Sequence, residues 1–290
     1  MPVVRHRLTA NGLTHHVVDT TPEARIKGIV ACLHGFPDDH RVWDAITPLI
    51  TAAGYRVIAP DLRGFGMTGM ADRTGGYDLF TGAMPDVAAI MDQLGLERAH
   101  LVGHDFGAAL AWLLAAQHGD RFTTLTALAV GHQRSFLRAR LSPAQMRMSR
   151  YILWHQLPGL CEWAYRRRDW AWFRRHWVGH PDIDGAIENL SRPGRLTAGL
   201  NWYRANISLA RMVMSRKPGA FGEEIVRIPA LGVWSEKDRY LGEAQMTGSA
   251  DFIDAPWRYE RLDDLGHWMQ AEAPERVAAL MLEHWRTHDL

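Results

Sequence analysis

The stretch LVGHDFG, residues 101–107, decides the fold. Its first half continues an apolar run of the kind found in buried strands, and helical periodicity follows over residues 108–118. Gly103 and Gly107 stand on either side of Asp105, with one residue between each glycine and the aspartate. This spacing predicts a sharp turn from strand to helix, which would hold the Asp105 side chain exposed at the carboxyl end of the strand.

Strand-like and helix-like segments alternate around this turn. The predicted strands are Val3–Leu8, Leu13–Asp19, Ile29–Leu33, Val57–Ala59, Ala99–Val102, Leu125–Val130, Ile228–Trp234 and Trp257–Leu262. The predicted helices are Val42–Ala53, Met84–Leu94, Ala108–His118 and Pro274–His288. Ala10-Asn11-Gly12 is typical of a hairpin turn between the first two strands. Such alternation predicts an α/β fold, with a mostly parallel sheet flanked by helices.

The alternation of strands and helices stops after Val130. Residues 133–222 hold 6 of the 12 tryptophans, many arginines and no clear strand pattern. We interpret them as an inserted all-helical cap. The expected organisation is therefore 1–132 for the first part of the α/β core, 133–222 for the cap, and 223–290 for the second part of the core.

Charge is balanced over the whole chain but not along it. The net charge is +1, which gives no indication of nucleic acid or of an acidic partner. Between Arg134 and Lys217, however, there are 16 Lys/Arg and 5 Asp/Glu. Such an imbalance can mark an interaction surface. The simpler interpretation is a solvated face whose arginine stems cover apolar surface.

Cysteine usage and hydropathy predict a cytoplasmic protein. Cys32 and Cys161 are too few for a disulfide framework. The sequence shows no apolar stretch of signal-peptide type and no run long enough for a membrane span. We therefore expect a cytoplasmic chain that does not span a membrane.

Asp105 occupies the position at which a strand-to-helix turn of this kind presents a nucleophile. A carboxylate has a reference pKa of about 3.9, so it is ionised at neutral pH and attacks without the help of a base. Its attack on an sp³ carbon, as in an epoxide or a carbon–halogen bond, would leave an alkyl ester that water must cleave. In the alternative interpretation, Asp105 only caps the helix that it precedes.

Two residues late in the chain are candidates for activating that water. His267 follows the last predicted strand and precedes the final helix, which suits a general base. Asp238 follows the preceding strand and would orient the His267 imidazole. The rivals of Asp238 for this role, the strongest first, are Glu236, Asp263 and Asp264.

The segment LHGFP, residues 33–37, follows a buried strand upstream of the turn. The backbone N–H of Phe36 can join that of Phe106 in an oxyanion hole, which would stabilise the charge that forms when water attacks the ester. Pro37 is a candidate for a cis peptide bond. The sequence thus offers a candidate for each part of an ester-hydrolysing site.

These motifs resemble those of the epoxide hydrolases of the α/β-hydrolase superfamily. Five of them extend over nearly the whole chain: HGFP at 34–37, DLRGFG at 61–66, GHDFG at 103–107, EKD at 236–238 and GHW at 266–268. Two more lie in the predicted cap, YILWHQLPG at 151–159 and LNWYR at 200–204. The resemblance implies an α/β-hydrolase fold in which Tyr151 and Tyr203 hydrogen-bond the epoxide oxygen and protonate it.

The resemblance also implies a small apolar epoxide and water as the partners, with no metal and no organic cofactor. Whether the protein is a monomer or a homodimer stays open. Phe106 stands where this family commonly has Trp, and Leu157 replaces an acidic residue, so we expect a changed pocket shape with the chemistry retained. The residues expected to line the substrate pocket are Phe36, Phe106, Trp154, His155 and Trp268.

Two other functions compete with epoxide hydrolysis. Haloalkane dehalogenases share the triad but place halide-binding side chains where this chain has Phe36 and Phe106. Fluoroacetate dehalogenases hold fluoride with a His, a Trp and a Tyr of the cap, and His155, Trp154 and Tyr203 would match these residues. Against this alternative, those enzymes bind the substrate carboxylate with arginines just after the nucleophile, where this chain has FGAA. A ligand-binding protein without catalysis would usually lack a triad member. Epoxide hydrolysis is the favoured prediction.

Overall fold

A computed structural model of the protein describes residues 1–208 and 224–288. Its sheet contains the strands β1 (Val3–Ala10), β2 (Leu13–Thr20), β3 (Gly28–Leu33), β4 (Tyr55–Pro60), β5 (Ala99–His104), β6 (Phe122–Leu128), β7 (Ala230–Ser235) and β8 (Trp257–Leu262). Their order across the sheet is β1-β2-β4-β3-β5-β6-β7-β8. Strand β2 is antiparallel to β1 and β4, and the pairs from β4 to β8 are parallel. The predicted α/β fold class is confirmed.

The strands β1 and β2 form the expected hairpin. They pair along their whole length, from Val3 opposite Thr20 to Ala10 opposite Leu13. Asn11 and Gly12 have φ angles of 50° and 76°. A two-residue type I′ turn requires this left-handed conformation, and asparagine and glycine adopt it at the lowest steric cost. The turn residues therefore fix the register of the hairpin.

The helices begin and end close to the predicted positions in the core. They are α1 (Thr47–Ala52), α2 (Met84–Gln93), α3 (Phe106–Gln117), α4 (Gln133–Ala139), α5 (Pro143–Met148), α6 (Arg150–His155), α7 (Leu160–His176), α8 (Ile183–Ser191), α9 (Arg195–Asn206), α10 (Glu243–Thr247), α11 (Met269–Glu272) and α12 (Pro274–His288). Within the described part of the chain, none of them is long and apolar enough to cross a membrane.

The helices α4 to α9 lie in the segment predicted as a cap. Residues 133–208, called the cap below, contain these helices and no strand. The end predicted for this segment, residue 222, lies outside the described residues. In α7 the backbone leaves the helical conformation between Arg167 and Trp170, so α7 consists of two helical pieces joined at a kink.

Three boundaries differ from the predictions for local reasons. The predicted helix Val42–Ala53 is divided, because a 3-10 turn over His40–Trp43 ends before α1 begins with Pro48 in its first turn. The strand β7 begins at Ala230 rather than at Ile228, because Pro229 has no N–H to donate to a neighbouring strand. The strand β6 ends at Leu128, and the next residue, Ala129, has a φ angle of 68° that breaks the extended backbone.

Helix α3 lies at the centre of the core. Leu110, Ala111 and Trp112 on successive positions are all fully buried, so the helix is covered on every side. It follows β5 directly and packs against β3, β5 and β6. The first turn of α3 is thereby fixed at the carboxyl edge of the sheet. Because parallel strands end at the same edge, the loops after β3, β5, β7 and β8 meet there.

Candidate active site

The turn between β5 and α3 places Asp105 in a strained backbone conformation. Its φ and ψ angles are 52° and −122°, a region that costs a non-glycine residue on the order of 1–3 kcal/mol. A Cβ atom on Gly103 would overlap the Gly107 backbone, and one on Gly107 would overlap the Leu33 carbonyl. The two flanking glycines are therefore needed for the close approach of β3, β5 and α3, and this packing holds Asp105 in place.

The Asp105 carboxylate lies between the loop after β3 and the loop after β8. The backbone N–H of Phe36 donates to Oδ1 of Asp105 over 2.9 Å. On the other side, Nε2 of His267 lies 3.7 Å from Oδ2 of Asp105. A Cβ atom on Gly35 would overlap the Asp105 carboxylate. The two carboxylate oxygens of Asp105 thus have different surroundings: Oδ1 accepts a backbone N–H, whereas Oδ2 lies near the His267 imidazole.

His267 is held by Asp238. Its Nδ1 lies 2.8 Å from Oδ2 of Asp238, and both side chains are buried. The other Asp238 oxygen, Oδ1, accepts the backbone N–H groups of Tyr240 and Leu241 over 2.7 and 3.0 Å. An ionised carboxylate only accepts hydrogen bonds, so Nδ1 of His267 must be the donor. Nε2 is then directed towards Asp105.

The charges around His267 decide its protonation. Burial lowers the pKa of this imidazole, but the nearby carboxylates of Asp238 and Asp105 raise it more, to about 10. While Asp105 is ionised, His267 is therefore a cation at neutral pH. Esterification of Asp105 would remove one of the two negative charges. The pKa of His267 would then fall, and the neutral imidazole could accept a proton from water.

The three rivals of Asp238 point elsewhere. Glu236 and Asp263 both form ion pairs with Arg261, at 2.9 Å each. Asp264 pairs with Lys237 at 2.9 Å. All three carboxylates are exposed, so the structure brings Asp238 alone of the four candidates to His267.

His104 supports the loop that carries His267. Its Nε2 lies 2.9 Å from the carbonyl oxygen of His267, to which it donates. Burial lowers the pKa of His104 to about 4, so this imidazole is neutral. This contact gives His104 a supporting role.

The loop after β3 is fixed by its own hydrogen bonds. Nδ1 of His34 lies 2.9 Å from the Gly35 carbonyl, and Nε2 accepts the backbone N–H of Leu62 over 2.9 Å. The peptide bond between Phe36 and Pro37 is cis, as predicted. These bonds place the Phe36 N–H against Asp105, where an oxyanion hole is expected.

Asp38 is a site residue that the sequence analysis missed. Its Oδ2 accepts the Trp268 indole N–H over 3.1 Å, and its Oδ1 lies 2.8 Å from Nε2 of His180. It therefore joins the oxyanion loop to the His267 loop and to the cap. Its position directly after the HGFP motif was a possible signal, but both partners are distant in sequence.

Tyr151 of α6 and Tyr203 of α9 lie on the cap side of Asp105. Their ring centroids are 5.9 Å apart, and the Tyr203 ring packs edge-on against Phe106 at 4.8 Å. Burial raises the pKa of both hydroxyls well above the usual value, and the Asp105 charge raises it further. Both tyrosines therefore stay protonated and can donate a hydrogen bond.

A mostly apolar cavity of about 130 Å³ opens next to Asp105. Its polar lining includes Asp105, Tyr151 and Tyr203. The other polar lining residues were not identified from the sequence: Gln133, Arg140, Ser149, Asn206 and Tyr240. Its apolar wall comes from α3, α4 and the ends of neighbouring elements: Leu79, Phe80, Phe106, Ala109, Leu113, Val130, Phe136, Leu137, Ile152, Ile207 and Leu241. The arrangement can bind an apolar molecule with one polar atom near the tyrosines.

Of the five residues predicted to line the pocket, Phe106 is among the described residues that do so. Phe36 is fully buried beneath the cap and contributes its backbone N–H. Trp154 packs against Trp172, His155 lies 2.7 Å from the Tyr165 hydroxyl through Nε2, and Trp268 binds Asp38. These four side chains pack against other residues of the cap and core.

A second cluster of ionisable groups lies apart from this cavity. Among the described residues, His16, His40 and Asp61 have the spacing that could hold a metal ion. Nδ1 of His16 and Nδ1 of His40 lie 2.9 and 2.6 Å from the Asp61 carboxylate, which also accepts the Met67 N–H. Burial opposes ionisation of Asp61, but the two histidines outweigh it and keep its pKa below the usual range. These bonds brace the DLRGFG loop.

Comparisons with known proteins agree with the α/β fold described above. A model of the α/β hydrolase fold family matches residues 28–274. Epoxide hydrolase A of Mycobacterium tuberculosis is 30% identical over an alignment that covers 88% of this chain and 89% of that protein. The AB hydrolase superfamily protein YfhM of Bacillus subtilis is 30% identical over 287 residues, 96% of each chain. The crystal structure of epoxide hydrolase A from Mycobacterium thermoresistibile has a TM-score of 0.79 and 25% identity, with 98% of both chains covered.

The match to the α/β hydrolase fold covers most of the chain, and the mostly parallel sheet and the strand-to-helix turn at Asp105 agree with it. The chain therefore belongs to the α/β-hydrolase superfamily and, within it, to the epoxide hydrolase family. Enzymes of this family are hydrolases that act on ether bonds.

Proposed function

We propose that this protein is an epoxide hydrolase that opens an apolar epoxide to a vicinal diol through a covalent ester on Asp105. The observation that carries the proposal is the arrangement around one apolar cavity. The Asp105 carboxylate, with His267 and Asp238 behind it, faces two buried tyrosine hydroxyls. A nucleophile on one side and proton donors on the other match the two ends of the bond to be broken.

In the first step, Oδ2 of Asp105 attacks one ring carbon of the epoxide. The bond between that carbon and the ring oxygen breaks, and the oxygen takes a proton from Tyr151 or Tyr203. Oδ1, which accepts the Phe36 N–H, becomes the carbonyl oxygen of the ester. Because Asp105 loses its charge, the pKa of His267 falls, and the proton that His267 releases replaces the one given by the tyrosine.

In the second step, neutral His267 takes a proton from water, and the hydroxide adds to Cγ of the Asp105 ester. The N–H groups of Phe36 and Phe106 stabilise the resulting oxyanion. The bond between Cγ and the diol oxygen breaks, and that oxygen takes the proton from His267. The new carboxylic acid then passes its proton to His267, which restores the ion pair. The net reaction is epoxide plus water to diol.

The cap geometry does not favour a fluoride site. Such a site would need the Trp154 and His155 side chains beside Tyr203 with their N–H groups directed at the substrate. His155 does lie beside Tyr203, with 4.4 Å between the ring centroids, but its Nε2 is engaged by the Tyr165 hydroxyl, and Trp154 packs on Trp172. Since Phe36 and Phe106 also carry no side-chain donor, proton transfer from the tyrosines is the better supported way to stabilise the leaving group.

A paired turnover assay tests the proposal. Purified protein is incubated with styrene oxide and, separately, with fluoroacetate, while diol and fluoride are measured. We expect diol without fluoride, loss of the activity in Asp105→Ala, and full activity in a control variant at an exposed position, Asp120→Ala. Fluoride without diol would mean that the cap is a halide pocket. Diol formation that survives in Asp105→Ala would contradict the nucleophile.

A further inference from the structure

The described cavity extends to one side of Asp105. From the carboxylate it runs along α3, past Phe106, Ala109 and Leu113, to α4, where Phe136 and Leu137 line it. These side chains are apolar, so this side can accept a long or bulky hydrocarbon substituent. The ring carbons of an epoxide carry their substituents in diverging directions. A substituent on the second carbon therefore has to lie on another side of the nucleophile.

The side next to the oxyanion loop is filled by aromatic rings. Phe36, His155 and Phe173 are each 0% exposed, so not even a water-sized probe reaches them. The ring of Phe36 packs against Tyr203 at 5.4 Å and against Trp177 at 5.2 Å. This part of the site is packed as densely as a protein core, and it has no room for a substituent.

Trp177, directly after α7, is the residue that fills this space. Its ring lies 5.1 Å from Tyr240, 5.6 Å from Tyr151 and 6.5 Å from Trp268. It is 2% exposed, and its buried indole N–H has no hydrogen-bond partner in the described part of the chain. A buried tryptophan usually satisfies its N–H. Trp177 therefore acts at this position through the volume of its side chain and not through a polar contact.

We propose that the site is specific for epoxides that carry one bulky apolar substituent, and that Trp177 excludes a second. This inference rests on the proposed epoxide hydrolase function. One ring carbon with its substituent lies towards Leu113 and Phe136, while the other carbon faces Phe36 and the Trp177 wall. Terminal epoxides fit this arrangement, whereas epoxides in the middle of a chain place carbon atoms in the space that Trp177 occupies.

Two isomers of equal composition test the proposal: 1,2-epoxydodecane and cis-6,7-epoxydodecane. For the wild-type protein we expect kcat/KM to be higher for the terminal isomer by about 100-fold, the range in which a closed pocket discriminates. In Trp177→Ala the terminal isomer should still be hydrolysed, and the ratio should fall to about 10-fold or less. Trp172→Ala removes the same kind of side chain from within α7. Because Trp172 packs on Trp154 and Tyr165 away from the cavity, its ratio should stay that of the wild type.

Each outcome has a distinct meaning. Equal kcat/KM values for the two isomers in the wild type would overturn the inference and leave the proposed function standing. A Trp177→Ala variant that hydrolyses the terminal isomer with an unchanged ratio would also overturn it. If Trp177→Ala does not fold, Trp177→Phe serves instead, and an intermediate ratio is expected. No diol from either isomer would contradict the epoxide hydrolase function itself.

Discussion

Replacing Asp238 with asparagine should reverse the tautomer of His267. In the wild type, Oδ1 of Asp238 accepts the N–H groups of Tyr240 and Leu241, and Oδ2 accepts Nδ1–H of His267. An asparagine has one oxygen, and the two backbone donors require it at the Oδ1 position. Its NH₂ group would then face His267, so Nδ1 would have to accept and Nε2 would carry the proton. An imidazole protonated at Nε2 cannot take a proton from water on that side.

The size of the effect follows from this geometry. The corresponding change in a serine protease triad, where the tautomer is also wrong, lowers kcat by about 10⁴-fold, or roughly 5 kcal/mol. Asp238 and His267 are both buried here, so water cannot replace the lost contact. The loss should fall on ester hydrolysis. Ring opening depends on Asp105 and the tyrosines, so it should slow much less and the ester should accumulate.

Rapid-quench experiments with styrene oxide can separate the two steps, because the ester is visible in the intact mass of the protein. We expect Asp238→Asn to form the ester and to release diol on the order of 10⁴-fold more slowly than the wild type. Glu236→Gln is the matched control, since Glu236 is exposed and pairs with Arg261. A decrease in kcat of less than about 10-fold, or equal slowing of both steps, would refute the reasoning.

Three further predictions concern the two tyrosines, the charge of His267 and the oxyanion loop. Tyr203→Phe and Tyr151→Phe should each slow ester formation by about 10²-fold or more in single-turnover kinetics, with ester hydrolysis less affected. The folded-state pKa of His267 is raised to about 10, so protonated His267 contributes its full stabilisation below about pH 6.5 and loses it as the pH rises towards 10. In urea unfolding, the difference in unfolding free energy between wild type and His267→Gln should therefore narrow from about pH 6.5 to about pH 10. Gly35→Ala should lower the rate of ester formation, because its Cβ would overlap the Asp105 carboxylate; a rate equal to that of the wild type would show that the loop can move aside.

The parts of the site that the sequence predicted are those fixed by short stretches of backbone. The close packing at the turn requires Gly103 and Gly107, so their spacing around Asp105 can be recognised in the amino-acid sequence. His267 and Asp238 follow strands, and parallel strands bring such loops to one edge of the sheet. The distance of 2.8 Å between them agrees with the choice of Asp238 over its rivals.

The lining of the cavity could not be predicted in the same way. In α9 the six consecutive residues from Ala198 to Tyr203 are all buried, so periodicity does not tell which face is turned towards the nucleophile. His155 was expected to line the substrate pocket; its ring lies 4.4 Å from that of Tyr203, and its Nε2 contacts the Tyr165 hydroxyl. The bonds of Asp38 to His180 and Trp268 join residues far apart in sequence, and only the packing of cap on core brings them together.

The proposed mechanism depends on a covalent ester on Asp105, and a His267→Gln variant should trap this ester. The variant is incubated with excess styrene oxide, its intact mass is measured, and the modified peptide is located by fragmentation. We expect an increase by the mass of one epoxide, confined to Asp105, in a protein that releases almost no diol. An unmodified His267→Gln protein under saturating epoxide, beside a wild type that forms diol, would contradict it.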